Sequence, residues 1–453
     1  MLLYEKNHSY TFVKNFISMI RLLILTLTFS FISKVSAQET IAVSKEELLQ
    51  KVSEKNLQLK LSQQDVVVAK AELLQTRAMY LPNVNASYTA ITTNNPLMAF
   101  GSRLNQERIT MQDFDPSKLN SPDNISNFAT KLEVQQPIYN QDMVYQKKAG
   151  QVKADALSIK AERTSDYIKF EMAKAYMQLQ LAYKAVETLE NAKNTTLANK
   201  KVIDNYFKNG MIQKSDVLYM DVRVSEIESQ LQFAKSNVRN ASDYIYFLLG
   251  EESNNRILKP TEKLDYQTYM LEENTKLNSS RKDILAYEKS LEAYDLMIKS
   301  AKSKFLPRLN AFGSFEVYDN KPYQFDANGY LLGLQLSWNV FDGLKSKSEQ
   351  EKYKTERIKA EIELQQYTQQ SQLEINKASR QVKDADNKVN LSKQALEQSK
   401  EAYRIRKNRY DQGLEKSSDL LVSETLMSQK ELDYNQAIFE YNTALEYYKF
   451  LKN

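Results

Sequence analysis

The side chains best placed to do chemistry are two carboxylates, Asp216 and Asp419, which occupy equivalent positions of an internal repeat. A carboxylate at the start of a helix can cap its free N–H groups, and its oxygens also suit a hard cation. The chain has no Cys and a single His, His8, which excludes disulfides, thiolate metal sites and the usual nucleophilic triads. We therefore predict no catalytic residue, no metal site and no cofactor, in a protein that is not an enzyme.

The repeat is a duplication of most of the chain. Residues 205–218 match residues 408–421, and both segments have a Gly, five further residues, an Asp and then two apolar residues. Shorter matches link residues 80–86 with 305–311 and residues 137–140 with 339–342. Each half therefore reads as helix, Leu-Pro, strand, loop, strand, long helix, Gly turn and helix.

This repeat sets the predicted domain organisation. A cleaved signal peptide occupies residues 1–37, the first structural repeat 38–250, an equatorial or linker segment 251–280, and the second structural repeat 281–453. Strands are expected at about 83–92, 128–137, 308–318 and 329–341, and the tips of two long helical hairpins near residues 210 and 413.

The N-terminal segment has the features of a leader. Residues 22–32 form an apolar run that is too short to cross a bilayer as a helix and that suits a signal peptide. Arg21 precedes the run, and small residues up to Ala37 favour cleavage after Ala37. Met19 is an alternative start to Met1, and a buried N-terminal helix is the alternative structure. The leader carries four basic residues and one acidic residue, so its removal lowers the formal net charge from +5 to +2 and no nucleic-acid partner is expected.

The composition favours long helices with few turns. Gly and Pro number only 9 and 8, and residues 344–412 contain neither. Such a helix is roughly 100 Å long at 1.5 Å per residue, and residues 151–209 predict its counterpart in the first half. Apolar and small side chains recur with the 3-4 spacing of a coiled-coil seam, at Ile168, Ala175, Leu179, Ala182, Val186 and Leu189 and at Ile375, Ala378, Val382, Ala385, Val389, Ser392, Leu396, Ser399 and Tyr403.

A glycine follows each long helix. Gly210 and Gly413 can adopt the left-handed conformation that ends a helix. Ser215 and Ser418, each followed by an Asp, can then cap the returning helix. The two glycines are therefore predicted to mark the tips of antiparallel helical hairpins.

The predicted strands alternate between polar and apolar residues. Each has about ten residues, the length of a tilted membrane-spanning strand, and Trp338, Tyr88 and Tyr330 are candidates for an aromatic girdle at the membrane interface. Four strands cannot close alone, and a bilayer tolerates no open sheet edge, so two or three chains would have to share one barrel. A small soluble β-domain on a coiled coil is the alternative.

Together these motifs resemble the TolC family of outer-membrane efflux proteins, over residues 40–453. The resemblance is carried by Leu-Pro before a strand in each half, by an aromatic-Asn/Asp pair after one, and by Tyr-x-x-Gly-x-x-x-x-x-Asp-Leu-Leu from Tyr410 to Leu421. It implies a mixed α and β fold and a homotrimer. Each protomer would give four strands to a shared 12-stranded transmembrane β-barrel, continued by a long α-helical coiled-coil tunnel.

The function implied by the resemblance is that of an outer-membrane channel, the exit duct of a tripartite efflux system. It would passively conduct substrates delivered by an inner-membrane transporter and a periplasmic adaptor protein, with its barrel in outer-membrane lipid and its helices in the periplasm. Three alternatives stay open: an exit duct for type I protein secretion, a soluble periplasmic coiled-coil scaffold, and a periplasmic adaptor. The charged loop 93–127 is expected to face the outside.

The resemblance also implies a gate at the periplasmic mouth. Asp419 matches an acidic ring of the inner hairpin, whereas Tyr410 and Asp216 match a hydrogen-bonded pair that holds the mouth shut. Glu415 stands where some relatives have an Arg that takes part in this lock. Plain helix capping is the alternative role of the two aspartates. The hairpin tips are expected to dock the adaptor, with Gly210, Gly413, Ser215 and Ser418 at their turns.

Overall fold

A computed structural model describes residues 39–270 and 275–453. The predicted signal peptide lies outside the described residues. The helices are α1 (Lys45–Lys55), α2 (Leu57–Ala78), α3 (Pro96–Asn105), α4 (Pro116–Asn120), α5 (Gln141–Lys208), α6 (Lys214–Leu249), α7 (Lys282–Ser303), α8 (Lys345–Asp411) and α9 (Ser417–Lys452). The strands are β1 (Thr40–Val43), β2 (Asn83–Thr93), β3 (Ile125–Tyr139), β4 (Ile257–Pro260), β5 (Arg308–Asp319) and β6 (Ala327–Ser337). A mixed fold dominated by long helices is therefore confirmed.

The longest helices are α5 and α8, with 68 and 67 residues. Most of their seam positions are buried, as the 3-4 spacing predicts, and the others, Val186, Ala385, Ser392 and Tyr403, are half-buried. Helix α5 begins ten residues before the predicted start, because Gly150 is accommodated inside it. A Cβ at that position would already touch Leu73 and Thr76 of α2. These would be ordinary van der Waals distances, 3.6 and 3.7 Å, so the long helix simply tolerates Gly150 at an intrinsic cost of about 1 kcal/mol.

The chain forms two compact units, each of which draws on both halves of the repeat. Unit 1 comprises the described residues up to Gln50 together with Ala175–Asp265 and Ser392–Phe439. Unit 2 comprises Lys51–Lys174, Tyr266–Leu391 and Glu440–Asn453. The hairpin turns lie in unit 1, and the long strands lie in unit 2. No helix among the residues described here is both long enough and apolar enough to cross a membrane.

Unit 2 contains a four-stranded sheet in the order β2-β3-β5-β6, antiparallel throughout. The register is shifted once, between Pro137 and Tyr139 of β3. Pro has no N–H to give to a ladder, so a shift beside it is expected. Strand β6 ends at Ser337, four residues before the predicted end. The chain then turns through Gly343 and Leu344, both at positive φ, into α8.

The register gives this sheet two different faces, since residues paired across antiparallel strands share a face. Its apolar face carries Val84, Ala86, Tyr88, Thr130, Leu132, Val134, Ala311, Gly313, Phe315, Tyr330, Leu332, Leu334 and Leu336. Its polar face carries Asn85, Ser87, Thr89, Lys131, Glu133, Gln135, Phe312, Ser314, Glu316, Leu331, Gly333 and Gln335. Between the pairs Leu309–Leu336 and Val317–Asn328, the apolar face has no charged side chain.

The segment between β2 and β3 is more ordered than the predicted charged loop. It contains α3, α4 and a short 3-10 helix at Met111–Phe114. The buried Gln106 amide anchors the segment by donating to Asn127 Oδ1 at 2.9 Å and to the Asp319 carbonyl at 3.1 Å. These partners are distant along the chain, so the sequence could not reveal this anchor.

Unit 1 contains a second, smaller sheet that the sequence did not predict. Strands β1 and β4 pair in parallel, from Thr40 opposite Ile257 to Val43 opposite Pro260. Strand β4 lies in the 251–280 segment, where apolar periodicity is lost. Four residues are too few to show strand alternation.

Candidate functional site

The hairpin tips of unit 1 are built by the two predicted glycines. Gly210 and Gly413 have φ of 71° and 74°, in the left-handed region that Gly tolerates best. At the first tip, the N–H of Gly210 donates to the Phe207 carbonyl at 2.9 Å. The corresponding bond at the second tip runs from the N–H of Gly413 to the Tyr410 carbonyl at 2.9 Å. The two tips therefore end their long helices in the same way.

Asp216 caps α6, and the prediction that Ser215 does so is wrong. Helix α6 starts at Lys214 behind Gln213, so Ser215 lies inside its first turn. The Asp216 carboxylate reaches back to accept from the Gln213 N–H at 3.1 Å, which is half of a capping box. The same correction applies to Ser418, because α9 already begins at Ser417.

Asp216 also joins the two hairpins. Its second oxygen, Oδ1, accepts from the Ser417 hydroxyl at 2.7 Å. The partner of Asp216 on the other hairpin is thus Ser417 within this chain, and not Tyr410 as the resemblance implied. The Tyr410 side chain is buried in an apolar cluster and its hydroxyl makes no hydrogen bond among the described residues, although the charge of Asp216 is near enough to raise its pKa.

Tyr410 packs in an apolar cluster between the hairpins. The cluster, which we name the tip cluster, consists of Ile203, Val217, Met220, Tyr410 and Leu420. The Tyr410 hydroxyl is buried and has no hydrogen-bond partner among the described residues. Burial, reinforced by Tyr206 and the negative charges of Asp216 and Asp411, raises the pKa of Tyr410 to about 12. The phenol therefore stays neutral and serves as packing.

Glu415 is held within its own hairpin. Its carboxylate binds Arg406 Nη1 at 2.8 Å and Arg409 Nε at 2.8 Å. The hydrogen bond from Arg409, with the charges of Arg406 and Arg409, lowers the pKa of Glu415. Asp419 lies in the first turn of α9, half-buried and without an ion pair among the described residues. Of these two carboxylates, only Asp419 lacks an ion pair among the described residues, and its side chain contacts Glu415.

A layer of buried polar side chains next to the tip cluster, formed around Glu424, was not predicted from the sequence. Glu424 of α9 is fully buried and accepts hydrogen bonds from Thr196 and Asn199 of α5. The spacing of the residues around Glu424 could have predicted its burial. Glu424 lies four residues after Leu420 and four before Ser428, which are both buried seam positions.

The three girdle candidates lie on or next to the apolar face in unit 2. Tyr330 and Tyr88 are within the strands, and the Tyr88 ring stacks on Tyr323 at 5.1 Å between centroids. Trp338 directly follows β6, at the end of the sheet that leads into α8, and its Nε1 donates to the Phe305 carbonyl at 3.0 Å. These three aromatic side chains are thus spread along the strands.

Charges on the sheet concentrate on the polar face. Lys131 Nζ lies 3.4 Å from Glu133 Oε2 on its own strand and 3.3 Å from Glu316 Oε1 on the neighbouring strand. The Tyr318 hydroxyl donates to Glu316 as well. Such a charged network requires water or polar neighbours, whereas the opposite face has no charged side chain between the pairs Leu309–Leu336 and Val317–Asn328.

Comparison with known proteins adds a family and a fold. Residues 275–447 match the sequence model of the family described as "Outer membrane efflux protein". No curated protein matches the chain. CusC superposes with a TM-score of 0.76 and 13% identity over 90% of this chain and 92% of its own. The Campylobacter jejuni CmeC outer membrane channel gives 0.73 and 17% over 90% and 85%. The Neisseria gonorrhoeae MtrE outer membrane channel gives 0.73 and 15% over 90% and 89%.

The long helices and the four-stranded antiparallel sheet give this chain the fold that is seen in these outer-membrane channels. At such low identities the structural likeness shows the fold alone. The family match covers residues 275–447, which form most of the second structural repeat, and over this part the chain is similar to outer membrane efflux proteins. This match bears out the predicted resemblance, together with the outer-membrane location and the non-enzymatic character that this family implies.

Proposed function

We propose that this protein is the exit duct of a tripartite efflux system, a homotrimer that conducts substrates passively from an inner-membrane transporter and a periplasmic adaptor. The observation that carries the proposal is the two-faced sheet of unit 2. On the edge strand β6, Tyr330 and Leu332 are 80% and 75% exposed on the apolar face of the single chain. Lipid is the solvent that suits such a row of large apolar side chains.

The sheet also supports a shared barrel. Its edge strands β2 and β6 have unpaired backbone groups, which a bilayer does not tolerate. A head-to-tail contact between β6 of one copy and β2 of the next closes a ring when the rotation suits. Three copies would supply twelve strands, well above the minimum of about eight for a membrane barrel. The polar face, with Lys131, Glu133 and Glu316, would then line a water-filled interior.

Exposed apolar side chains on helices next to these edge strands support the same contact. Helix α2, which precedes β2, exposes Leu57, Leu61, Val67, Val68 and Leu74. Helix α8, which follows β6, exposes Ile358, Ile362 and Leu373 within unit 2. Apolar rows on both flanks suit helix packing between neighbouring copies.

We assign the gate to the hairpin tips. Asp419 carboxylates from three copies would meet around the symmetry axis, where like charges attract cations and repel one another. Gly210 and Gly413 with the turns around them would present the adaptor-docking surface. Type I protein secretion remains a second use of the same duct. A soluble coiled-coil scaffold fits poorly, because it would leave the apolar sheet face in water.

Reconstitution into planar lipid bilayers tests this function. We expect the detergent-extracted protein to insert stepwise as cation-selective channels and to lose current when polyvalent cations are added on the periplasmic side. A preparation that keeps its β-structure but forms no channel would contradict the proposal. Co-purification with the adaptor, compared between wild-type and Gly413→Pro tips, tests the partner assignment. Gly413 sits at positive φ, which Pro cannot adopt.

A further inference from the structure

A fully buried carboxylate connects the two hairpins of unit 1. Glu424 lies on α9, about one and a half turns beyond Asp419. Its Oε1 accepts a hydrogen bond from the Thr196 hydroxyl, and its Oε2 accepts from Asn199 Nδ2 at 3.2 Å. Both donors belong to α5 and are themselves buried. The contact therefore runs from the α8–α9 hairpin to the α5–α6 hairpin.

All four hairpin helices contribute to this polar layer. Asn199 Nδ2 also donates to the Tyr403 hydroxyl of α8 at 3.3 Å. Helix α6 contributes Arg223, which is 5% exposed. Arg223 Nη1 lies 3.5 Å from Glu226 Oε2, while its Nε has no hydrogen-bond partner among the described residues. Further along α8, the charged groups nearest to Tyr403 are Lys407 and Asp411.

The layer lies between two apolar clusters. The tip cluster is on one side, and a second cluster formed by Leu189, Leu231 and Ala234 is on the other. In these surroundings burial raises the pKa of Glu424. The hydrogen bonds from Thr196 and Asn199 and the charge of Arg223 act in the opposite direction but do not cancel it.

We propose that Glu424 is a positioning residue of the gate, which keeps the two hairpins packed while it is protonated and favours their separation once it is charged. The role assigned to the gate rests on the proposed channel function. The separation of the hairpins does not, because it is a property of unit 1 that can be measured without any current.

The direction of the pH effect follows from linkage. Packed hairpins hold the Glu424 proton more tightly than separated hairpins, in which the pKa returns to its ordinary value of about 4.3. Packing is therefore most favoured below that pH and becomes less favoured as the pH rises towards the raised pKa of the packed state. Each unit between the two pKa values changes the ratio of packed to separated hairpins by about tenfold.

Three variants separate this role from ordinary packing. Glu424→Gln is neutral at every pH and keeps an acceptor for Thr196, so its hairpins should stay packed without pH dependence. Arg223→Gln removes the buried cation that favours charged Glu424, so its transition should move to higher pH. Glu397→Gln changes an exposed carboxylate of α8 and is the matched control, with an unaltered transition.

The experiment measures the distance between the tips in the full-length assembly. Because the chain has no Cys, spin labels on Met211→Cys and Leu414→Cys, both exposed at the tips, report that distance by pulsed electron resonance. Labelled chains are diluted with unlabelled ones so that one pair per assembly is observed. The wild-type distance should lengthen as the pH rises above about 4.3, the ordinary pKa of a Glu.

Each possible result either supports or overturns the inference. A transition that is lost in Glu424→Gln and moved upward in Arg223→Gln supports the inference. The same transition in Glu424→Gln as in the wild type would overturn it. Bilayer recordings on the same variants separate the two proposals, since a Glu424-dependent tip distance without any channel current supports the inference and contradicts the proposed duct.

Discussion

The acidic residues at the tip of the α8–α9 hairpin differ in what neutralises them. Asp411 pairs with Lys407, and Glu415 pairs with two arginines. Asp419 has no such pair among the described residues. A carboxylate already bound to a guanidinium contributes little field at a distance, because the two charges cancel. Any effect of this tip on ions should therefore depend on Asp419 and not on Glu415, although both have the same formal charge.

Replacement of Asp419 tests this at the level of one side chain. We expect Asp419→Ala to weaken block by polyvalent cations and to lower cation selectivity while the assembly stays intact. The helix should lose only the roughly 0.3–1 kcal/mol that an acidic group contributes near a helix N-terminus. Bilayer recordings measure the block, with Glu415→Gln as the matched control. Equal block in wild-type and Asp419→Ala channels would reduce Asp419 to a structural residue of α9.

Tyr410 leads to a different expectation from the one suggested by the resemblance. Its hydroxyl is buried without a partner, so Tyr410→Phe removes a polar group whose burial costs about 1–3 kcal/mol when it is unsatisfied. The variant should be as stable as the wild type or more stable, with unchanged resting conductance. Thermal unfolding and bilayer recordings check both. A higher resting conductance would show that the hydroxyl bonds to a neighbouring copy.

Truncation of Tyr410 should have the opposite effect on stability. Tyr410→Ala empties the centre of the tip cluster and should cost about 3–5 kcal/mol, the range for loss of a large buried ring. Chemical denaturation followed by tyrosine fluorescence measures this loss. A cost near zero would mean that the tips do not pack in solution as they do in this structure.

At the scale of the elements, the sheet offers a pair of adjacent leucines on opposite faces. Leu332 lies on the apolar face near the middle of β6, and Leu331 lies on the polar face. If the apolar face meets lipid, Leu332→Arg should cost roughly 2–4 kcal/mol and Leu331→Arg much less. Urea unfolding of the reconstituted protein compares the two.

Cysteine labelling gives an independent measurement on the same pair. Leu331→Cys should react with a water-soluble maleimide, and Leu332→Cys should be protected in the membrane. The reverse pattern would mean that the face with Leu331 meets lipid and the face with Leu332 meets water. Equal labelling of both cysteines would mean that the sheet lies outside the membrane.

Sequence patterns predicted a helix, strand or turn well where all the residues of the pattern lie within that one element. The seam spacing gave the long helices, and Gly210 and Gly413 gave the turns. Contacts between distant segments were beyond such patterns. The prediction gave the cap to Ser215 together with Asp216, and only Asp216 takes part, because its carboxylate reaches back to the Gln213 N–H from inside the first turn. Gly333 is a second contact that the sequence could not reveal. A Cβ there would lie 2.5 Å from the ring of Phe312 on the neighbouring strand.

At the scale of the whole molecule, oligomeric state is the decisive measurement. Four strands with two free edges require copies to share a barrel, and the proposed homotrimer predicts a detergent-extracted protein with three times the mass of one chain. Light scattering with correction for bound detergent measures this mass. Deletion of β5 and β6 together should abolish assembly instead of giving a smaller barrel, because β2 and β3 alone supply too few strands to close a ring. A monodisperse monomer with full β-structure would contradict the proposed barrel.

The parallel pairing of β1 with β4 has a consequence for the order of events during biosynthesis. Thr40 and Ile257 are more than two hundred residues apart along the chain, yet they are neighbours in unit 1. Contacts between segments so far apart form slowly, because a long loop must close before any gain is made. The first strand must therefore wait, unpaired, until the middle of the polypeptide has emerged. Only then can the two-stranded sheet of unit 1 form, so holding factors that shield nascent segments should matter most early in synthesis.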